Sequence, residues 1–263
     1  MASSNFIRTF KNYGLWYSLN RLYQIALHPT IRNFPFYVER VRGKQGLEVG
    51  GPSAVFASRG LIPLYEYVGS LDNCNFGSHT LWATHDAGKT FRYSSVKLAG
   101  KQFVAEGADL AEIPDESYDF ILSSHMLEHS ANPLRALQAW RRVLRPAGSI
   151  VLLLPNKRWT FDHIRPVTSL AHLVDDFAEK TGEDDLTHLA EVLNLHDLRR
   201  DPDAGDYAEF RKRSESNPEN RGMHHHVFDE ALVRAILERS DFSVSLLRAA
   251  FKDHIIAVAE KDT

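Results

Sequence analysis

The chain has 263 residues, 43% of them hydrophobic and 25% charged, with a formal net charge of -3 and one cysteine, Cys74. That size and balance suit one globular α/β domain with additions and a sizeable core. The mild acidity removes the basic footprint of a nucleic-acid binder, and a lone cysteine excludes an internal disulfide framework, which fits a reducing cytoplasm.

Residues 5–28 read as helical, with Pro29 and Pro35 marking a loop. Aromatic and basic residues interleave there (Phe10, Tyr13, Trp16, Tyr17, Arg21, Tyr23), so residues 1–43 are expected to form a helical extension packed on the core. A peripheral membrane helix is the weaker reading, because no polybasic cluster accompanies it. No membrane span and no signal-peptide core are expected. Leu47–Val49 is the first strand, and Ser53–Ser58 starts a short helix or turn. Tyr65–Leu71 is the second strand, followed by an unusual insertion over residues 73–100 rich in His, Gly, Ser and Thr. Phe103–Ala105 and Tyr118–Ser123 are the third and fourth strands, the latter continuously apolar, as a strand buried on both faces should be. Pro133–Leu144 has helical apolar spacing, Arg145–Gly148 is a stop, and Ser149–Leu154 is the fifth strand. Residues 156–221 depart from a minimal domain: Leu170–Lys180 and Leu186–Leu198 read as helices, and Asp197–Asn220 as a mobile connection. Helix Asp229–Ser240 then precedes strands Val244–Ala249 and His254–Ala259, which are close enough in sequence to be antiparallel.

Strands alternating with helices predict a Rossmann-like, three-layer α/β/α domain over residues 44–263. Ligands of such sheets sit at the carboxyl ends of the strands. There the chain reads Gly46-Leu-Glu-Val-Gly-Gly-Pro-Ser53. Paired glycines let backbone approach a ligand closely, and a following helix would offer free N–H groups. Glu48 would repel the phosphates of a dinucleotide, yet it favours an amine-bearing zwitterion such as S-adenosylmethionine. The order also misses the Gly-x-Gly-x-x-Gly pattern of dinucleotide enzymes.

With Tyr118-Asp-Phe-Ile-Leu-Ser-Ser-His-Met-Leu-Glu-His129, this stretch resembles class I S-adenosylmethionine-dependent methyltransferases of the type 11-like group. The resemblance covers residues 44–155 well and 222–261 more loosely. It implies a seven-stranded, mostly parallel sheet with an antiparallel last strand. It also implies cofactor contacts from Glu48, Gly50, Gly51, Pro52 and Ser53, with Asp72 and Asn73 at the ribose. Asp109 and Leu110 would then meet the adenine, and Ser123, Ser124 and His125 would lie near the methyl group.

Methyl transfer to a hydroxyl needs a proton acceptor, and histidine is the natural one. His129 is the expected base and His125 the second candidate; a purely loop-fixing role is the bland reading of both. After the fifth strand, Asn156, Arg158, Trp159, Phe161, Asp162, His163 and Arg165 combine directional polar groups with flat apolar faces, which suits a sugar. This block resembles methyltransferases associated with polysaccharide biosynthesis, so the expected reaction is O-methylation of a saccharide or other small hydroxylated acceptor. Methylation of an amine, carbon or lipid precursor is the alternative, and a non-catalytic cofactor-binding protein the third reading. Met223-His-His-His226 matches no usual zinc spacing, so no metal ligand set is expected there, and His226 is expected to line the acceptor pocket instead. A Mg2+ ion held near Asp162 would be one way to acidify a sugar hydroxyl. Homodimerisation through the N-terminal aromatic segment or the middle insertion is compatible with the sequence.

Overall fold

The computed structural model describes residues 31–77 and 90–262. The helix expected at 5–28 and much of the insertion expected at 73–100 lie outside the described residues. The strands are β1 (Gln45–Val49), β2 (Ser70–Asn75), β3 (Thr90–Phe91), β4 (Gly100–Val104), β5 (Tyr118–Ser124), β6 (Leu144–Pro155), β7 (Phe242–Ala250) and β8 (His254–Lys261). They form one sheet in the order β3-β4-β2-β1-β5-β6-β8-β7. β4, β2, β1, β5 and β6 are parallel, while β8 runs antiparallel to both β6 and β7. The closing hairpin thus forms as expected, and β8 sits inside it, between β6 and β7. The eighth strand, beyond the seven expected, is the two-residue β3, antiparallel on the β4 edge.

Alternation along the strands builds two cores. On β6, Ile150, Leu152 and Leu154 face one side with Leu47, Val49 and Ile121. Val151 and Leu153 face the other with Leu71, Phe120 and Leu122. The first side is covered by helices α2 (Pro133–Val143) and α7 (Glu230–Arg239), which bury Leu134, Leu137 and Trp140, and Val233, Ile236 and Leu237. Each helix starts on a side-chain cap: Asn132 accepts from Arg135 N at 3.1 Å, and Asp229 from Leu232 N at 2.8 Å. The second side is covered by α1 (Phe34–Val41), through Tyr37, Val38 and Val41. Pro35 therefore opens a helix rather than marking a loop, a first-turn position where its missing N–H costs nothing.

Of the short helix or turn expected at Ser53–Ser58 the turn forms, and two further expectations are corrected. No helix follows the glycines; residues 53–65 form successive turns, with Phe56 N bonded to Ser53 O at 3.1 Å and Ile62 N to Val55 O at 2.9 Å. The second strand starts five residues later than expected and runs on to Asn75. Residues 197–220 form ordered helices in place of a mobile connection.

The insertion contains α3 (Leu170–Glu179), α4 (Leu189–Leu195), α5 (Tyr207–Glu215) and α6 (Asn217–Asn220). α5 begins with a capping box between Asp206 and Glu209. Val192, Ala204, Phe210 and Met223 give the insertion its own small core. No described helix is long and apolar enough to cross a membrane.

Candidate active site

A cavity of about 660 Å3 opens at the carboxyl ends of β1, β2, β4 and β5. That volume falls within the range of small-molecule sites, roughly 300–1,000 Å3. Its floor is the loop Gly50–Ser53. Gly50 has φ +91°, a conformation that favours glycine. At Gly51 the constraint is space: an added Cβ would lie 2.3 Å from Glu48 Cδ. The Glu48 side chain folds back beneath the loop. It accepts from Ser53 N at 3.0 Å and from the Tyr65 hydroxyl at 2.7 Å. Burial pushes the Glu48 carboxyl up to about 7, although the Ser53 and Tyr65 hydrogen bonds work against this. The acid before the glycines thus shapes the loop from below and does not itself line the cavity.

β2 clamps the same loop from the side. Asn73 receives Gly51 N at 3.0 Å and donates to Gly51 O at 3.1 Å; Asn75 donates to the same carbonyl at 2.8 Å. Asn75 and Phe76 line the cavity at the end of β2. β4 leads into Glu106, Gly107 and Ala108 on the opposite wall. An added Cβ on Gly107 would lie 2.9 Å from both Met126 Cε and Val49 Cγ1, so glycine keeps this wall open.

At the end of β5, Ser124, His125 and Met126 line the cavity, followed by His129 from the 3-10 turn Leu127–His129. His125 Nε2 bonds His254 Nδ1 at 2.8 Å, and His254 comes from the start of β8. Burial lowers both rings, His125 to about 3 with help from His254 and His224, and His254 to about 4. Both imidazoles are therefore neutral near pH 7. Burial also lowers His129, whose Nδ1 lies 3.1 Å from Met223 O. From the insertion come Glu183 and Arg221. Arg221 pairs with Glu106 at 2.6 Å, and Glu183 accepts from the Ser130 hydroxyl at 3.0 Å.

A model of the methyltransferase domain family matches residues 75–152, from the end of β2 through β4, β5 and α2 into β6. Residues 75–152 are thus similar to a methyltransferase domain, set within a mostly parallel sheet. Solved structures with similar coordinates include S-adenosylmethionine-dependent methyltransferases from three organisms. The Aquifex aeolicus protein is 13% identical, with 87% of this chain and 89% of that one covered and a TM-score of 0.46. The Mesorhizobium loti protein is 11% identical, covering 87% and 95%, with a TM-score of 0.49. The Methanosarcina mazei protein is 14% identical, covering 89% and 99%, with a TM-score of 0.45. Comparison with curated proteins finds no match.

The fold brings Gly50, Gly51, Pro52, Ser53, Ser124, His125 and His129 together around one cavity. Several other candidates lie off it. Asp72 stands mid-strand, opposite Leu47, where its carboxylate is occupied by Lys101 N at 2.7 Å and the Tyr118 hydroxyl at 2.8 Å. The residue at the strand end is Asn75. Leu110 is fully buried, and Asp109 faces solvent beside Arg135 at 3.4 Å. Ser123 is buried one residue short of the cavity wall.

None of the post-β6 block lines the cavity. Asp162 and Arg165 are buried and paired at 2.9 Å; Arg165 also bonds Glu191 at 2.8 Å and the carbonyls of His224 and His225. Burial alone would raise Asp162, but His224 and Arg165 hold it below the usual carboxylate range. Both its oxygens are taken, one by Arg165 and one by His224 Nδ1 at 2.5 Å, which leaves no vacant oxygen for a Mg2+ ion. His163 bonds Asp197 at 3.0 Å. Asn156 caps the turn 157–159 by accepting from Arg158 N at 3.3 Å, and the Arg158 carbonyl accepts from Arg200 at 3.1 Å. Trp159 lies exposed beneath Lys252, while Phe161 stacks on His196 at 4.3 Å. The three consecutive histidines diverge: His224 to Asp162, His225 to Asn217 at 2.9 Å, and His226 to Ala131 O at 3.2 Å. Cys74 is packed under the wall, its thiol pushed up to about 12 by burial.

Proposed function

We propose that the protein transfers a methyl group from S-adenosylmethionine to a hydroxyl of a small acceptor, with saccharides the first class to test. The observation that carries this reading is the pairing of a glycine-floored cavity with a hydrogen-bonded imidazole pair, His125 and His254, on its wall. The donor supplies an electrophilic methyl group on a sulfonium, so the protein's task is alignment and proton removal. Gly50, Gly51 and Asn75 fit the donor, because the tight glycine positions bring backbone to the cavity and leave room for a ligand. Glu106 and Arg221 close the opposite side.

In the transfer, the acceptor O–H bond breaks and its proton goes to an imidazole nitrogen. The new O–C bond forms as the C–S bond breaks, and that electron pair stays on sulfur. His125 is placed for the proton, with His254 beside it to pass it onward. His129 is the second candidate base, its Nδ1 turned to Met223 O and its ring meeting His224 edge-on at 4.6 Å. The exposed Trp159 with Lys252 offers an apolar plate and a cation outside the cavity, a surface on which a longer saccharide would rest.

Calorimetry with S-adenosylmethionine and its demethylated product tests the donor, and mass detection of methyl gain across a panel of saccharides and other alcohols tests the acceptor. A well-folded protein that takes up neither donor form sinks the reading. Donor binding with methyl gain only on amines would move the acceptor to the other class.

A further inference from the structure

We propose that Glu128, His129 and His224 form a binding site for a divalent transition-metal ion at the acceptor end of the cavity. Glu128 and His129 come from the 3-10 turn after β5, and His224 from the far end of the insertion. One ligand atom from each lies within 4.8 Å of the others. The sheet and the insertion thus bring an oxygen and two nitrogens to one point.

Two independent features single out this cluster. The first is Glu128, which is fully buried and has no hydrogen-bond partner at either carboxylate oxygen among the described residues. A buried carboxylate is costly unless it is paired, hydrogen-bonded or bound to a metal. His125 Nδ1 lies 3.5 Å and His224 Nε2 4.0 Å from its Oε1, both beyond normal hydrogen-bond length.

The second feature is the bracing of the two imidazoles. His129 Nδ1 is held by the Met223 carbonyl at 3.1 Å, and His224 Nδ1 by Asp162 at 2.5 Å. Asp162 is in turn anchored by Arg165 at 2.9 Å. An oxygen acceptor at Nδ1 puts the proton there and makes Nε2 the lone-pair nitrogen. The same carbonyl and carboxylate bracing orients metal-bound histidines generally.

The donor set defines the ion. Two imidazoles and a carboxylate suit Zn2+, Co2+ or neighbouring first-row ions, whereas Mg2+ and Ca2+ favour all-oxygen shells. Three protein ligands leave a position open, as in catalytic metal sites. His129 lines the cavity, so that position faces the acceptor. There the ion would orient the acceptor oxygen and ease loss of its proton to His125; this role, unlike the site itself, rests on the methyl-transfer reading. A rival cluster, His172, His188 and His226, lies away from the cavity. In it the Nε2 atoms are already engaged: His172 with His188 at 2.9 Å, and His226 with Ala131 O at 3.2 Å.

The test strips the full-length protein with chelator and titrates it with Zn2+ and, separately, Co2+. About one tight equivalent is expected, with Co2+ showing absorption bands of mixed nitrogen and oxygen ligation. Glu128→Gln, nearly isosteric, should weaken binding at least about a hundredfold and abolish those bands, as should His224→Gln. Asp162→Asn, acting through His224, should weaken it about ten- to hundredfold. His188→Gln should leave it unchanged. No tight equivalent in the wild type, or one that survives Glu128→Gln and disappears in His188→Gln, overturns the proposal. Calorimetry with S-adenosylmethionine on the stripped protein separates the two readings: donor binding without metal binding removes only the metal site, and metal binding without donor binding removes only methyl transfer.

Discussion

Arg221 reaches Glu106 with a 2.6 Å contact between Nη2 and Oε1, tying the end of the insertion to the loop after β4 across the cavity. The two residues are 115 positions apart, so this pair belongs to the tertiary fold alone. The guanidinium also lies 5.3 Å from the Phe76 ring and bonds the Pro218 carbonyl. Glu106 is part-exposed, which screens the pair and limits its contribution to stability. Arg221→Ala should therefore leave the melting temperature nearly unchanged. It should weaken cofactor binding about two- to tenfold, read by calorimetry. Unchanged binding would remove Arg221 from the site.

The Gly51 carbonyl takes hydrogen bonds from both Asn73 and Asn75. Asn75→Ala removes one of these donors and leaves the other. The expected result is about a tenfold rise in the dissociation constant for cofactor, with a loss of stability near 1 kcal/mol. Asp72→Asn should leave cofactor affinity within about twofold, because its carboxylate serves Lys101 and Tyr118 inside the sheet. A larger loss for Asp72→Asn than for Asn75→Ala would restore Asp72 as the ribose acid.

Arg165 is buried and joins Asp162, Glu191 and two carbonyls. Arg165→Met leaves Asp162 with His224 alone and those carbonyls without their donor. A loss of about 3–5 kcal/mol in a denaturant melt is expected, the cost of breaking a buried pair from one side. If stability held and only the acceptor KM rose, Arg165 would be a substrate contact after all.

Glu48 is held near pKa 7 in the folded state, against an ordinary 4.5. The folded protein therefore binds this proton more tightly than the unfolded chain. The stability tied to protonated Glu48 is full below about 4.5 and is lost as pH rises through about 7. Glu48→Gln abolishes that dependence. The wild type should lose stability relative to the variant between pH 5 and pH 8, measured by paired urea melts, with the larger share before neutrality and the loss levelling off above it. A difference constant over that interval would mean that Glu48 stays ionised beneath the loop.

Gly51→Ala tests the same packing from above, since the new methyl group would press on the Glu48 carboxyl. A loss of about 1–3 kcal/mol is expected, with cofactor binding falling alongside it. The double variant Gly51→Ala/Glu48→Ala should recover part of that stability. Additive losses would show that the two sites do not meet.

The parts of the fold that could be read from sequence are those whose partners lie nearby or whose pattern is strict. β1, β5 and β6 are apolar runs buried on both faces, and the closing hairpin turns at Phe251–Asp253. Tyr65 and Tyr67 imitate strand alternation, so the sequence pattern begins the second strand five residues early. Tyr65 instead turns beneath the glycine loop to reach Glu48, a contact that local sequence does not encode. The early frame puts Asp72 at a strand end that belongs to Asn75. Residues 197–220 looked mobile because they are highly charged, yet Asp206 and Glu209 carry a capping-box signature in plain sight. In the site, the glycine loop and Ser124–His125 follow strands directly and were legible. Glu183, Arg221 and His254 arrive from distant segments, so no spacing rule announces them. The aromatic and polar block after β6 resembled a sugar platform, but its polar members mainly bond one another or the insertion.

The family match ends at residue 152, before the insertion that supplies Glu183, Arg221 and His224. The cavity is thus walled by the sheet's strand ends and by a segment that has a small core of its own. Exchanging residues 156–228 between related chains should therefore alter the acceptor preference and, through Glu183 and Arg221, the grip on the methyl donor as well.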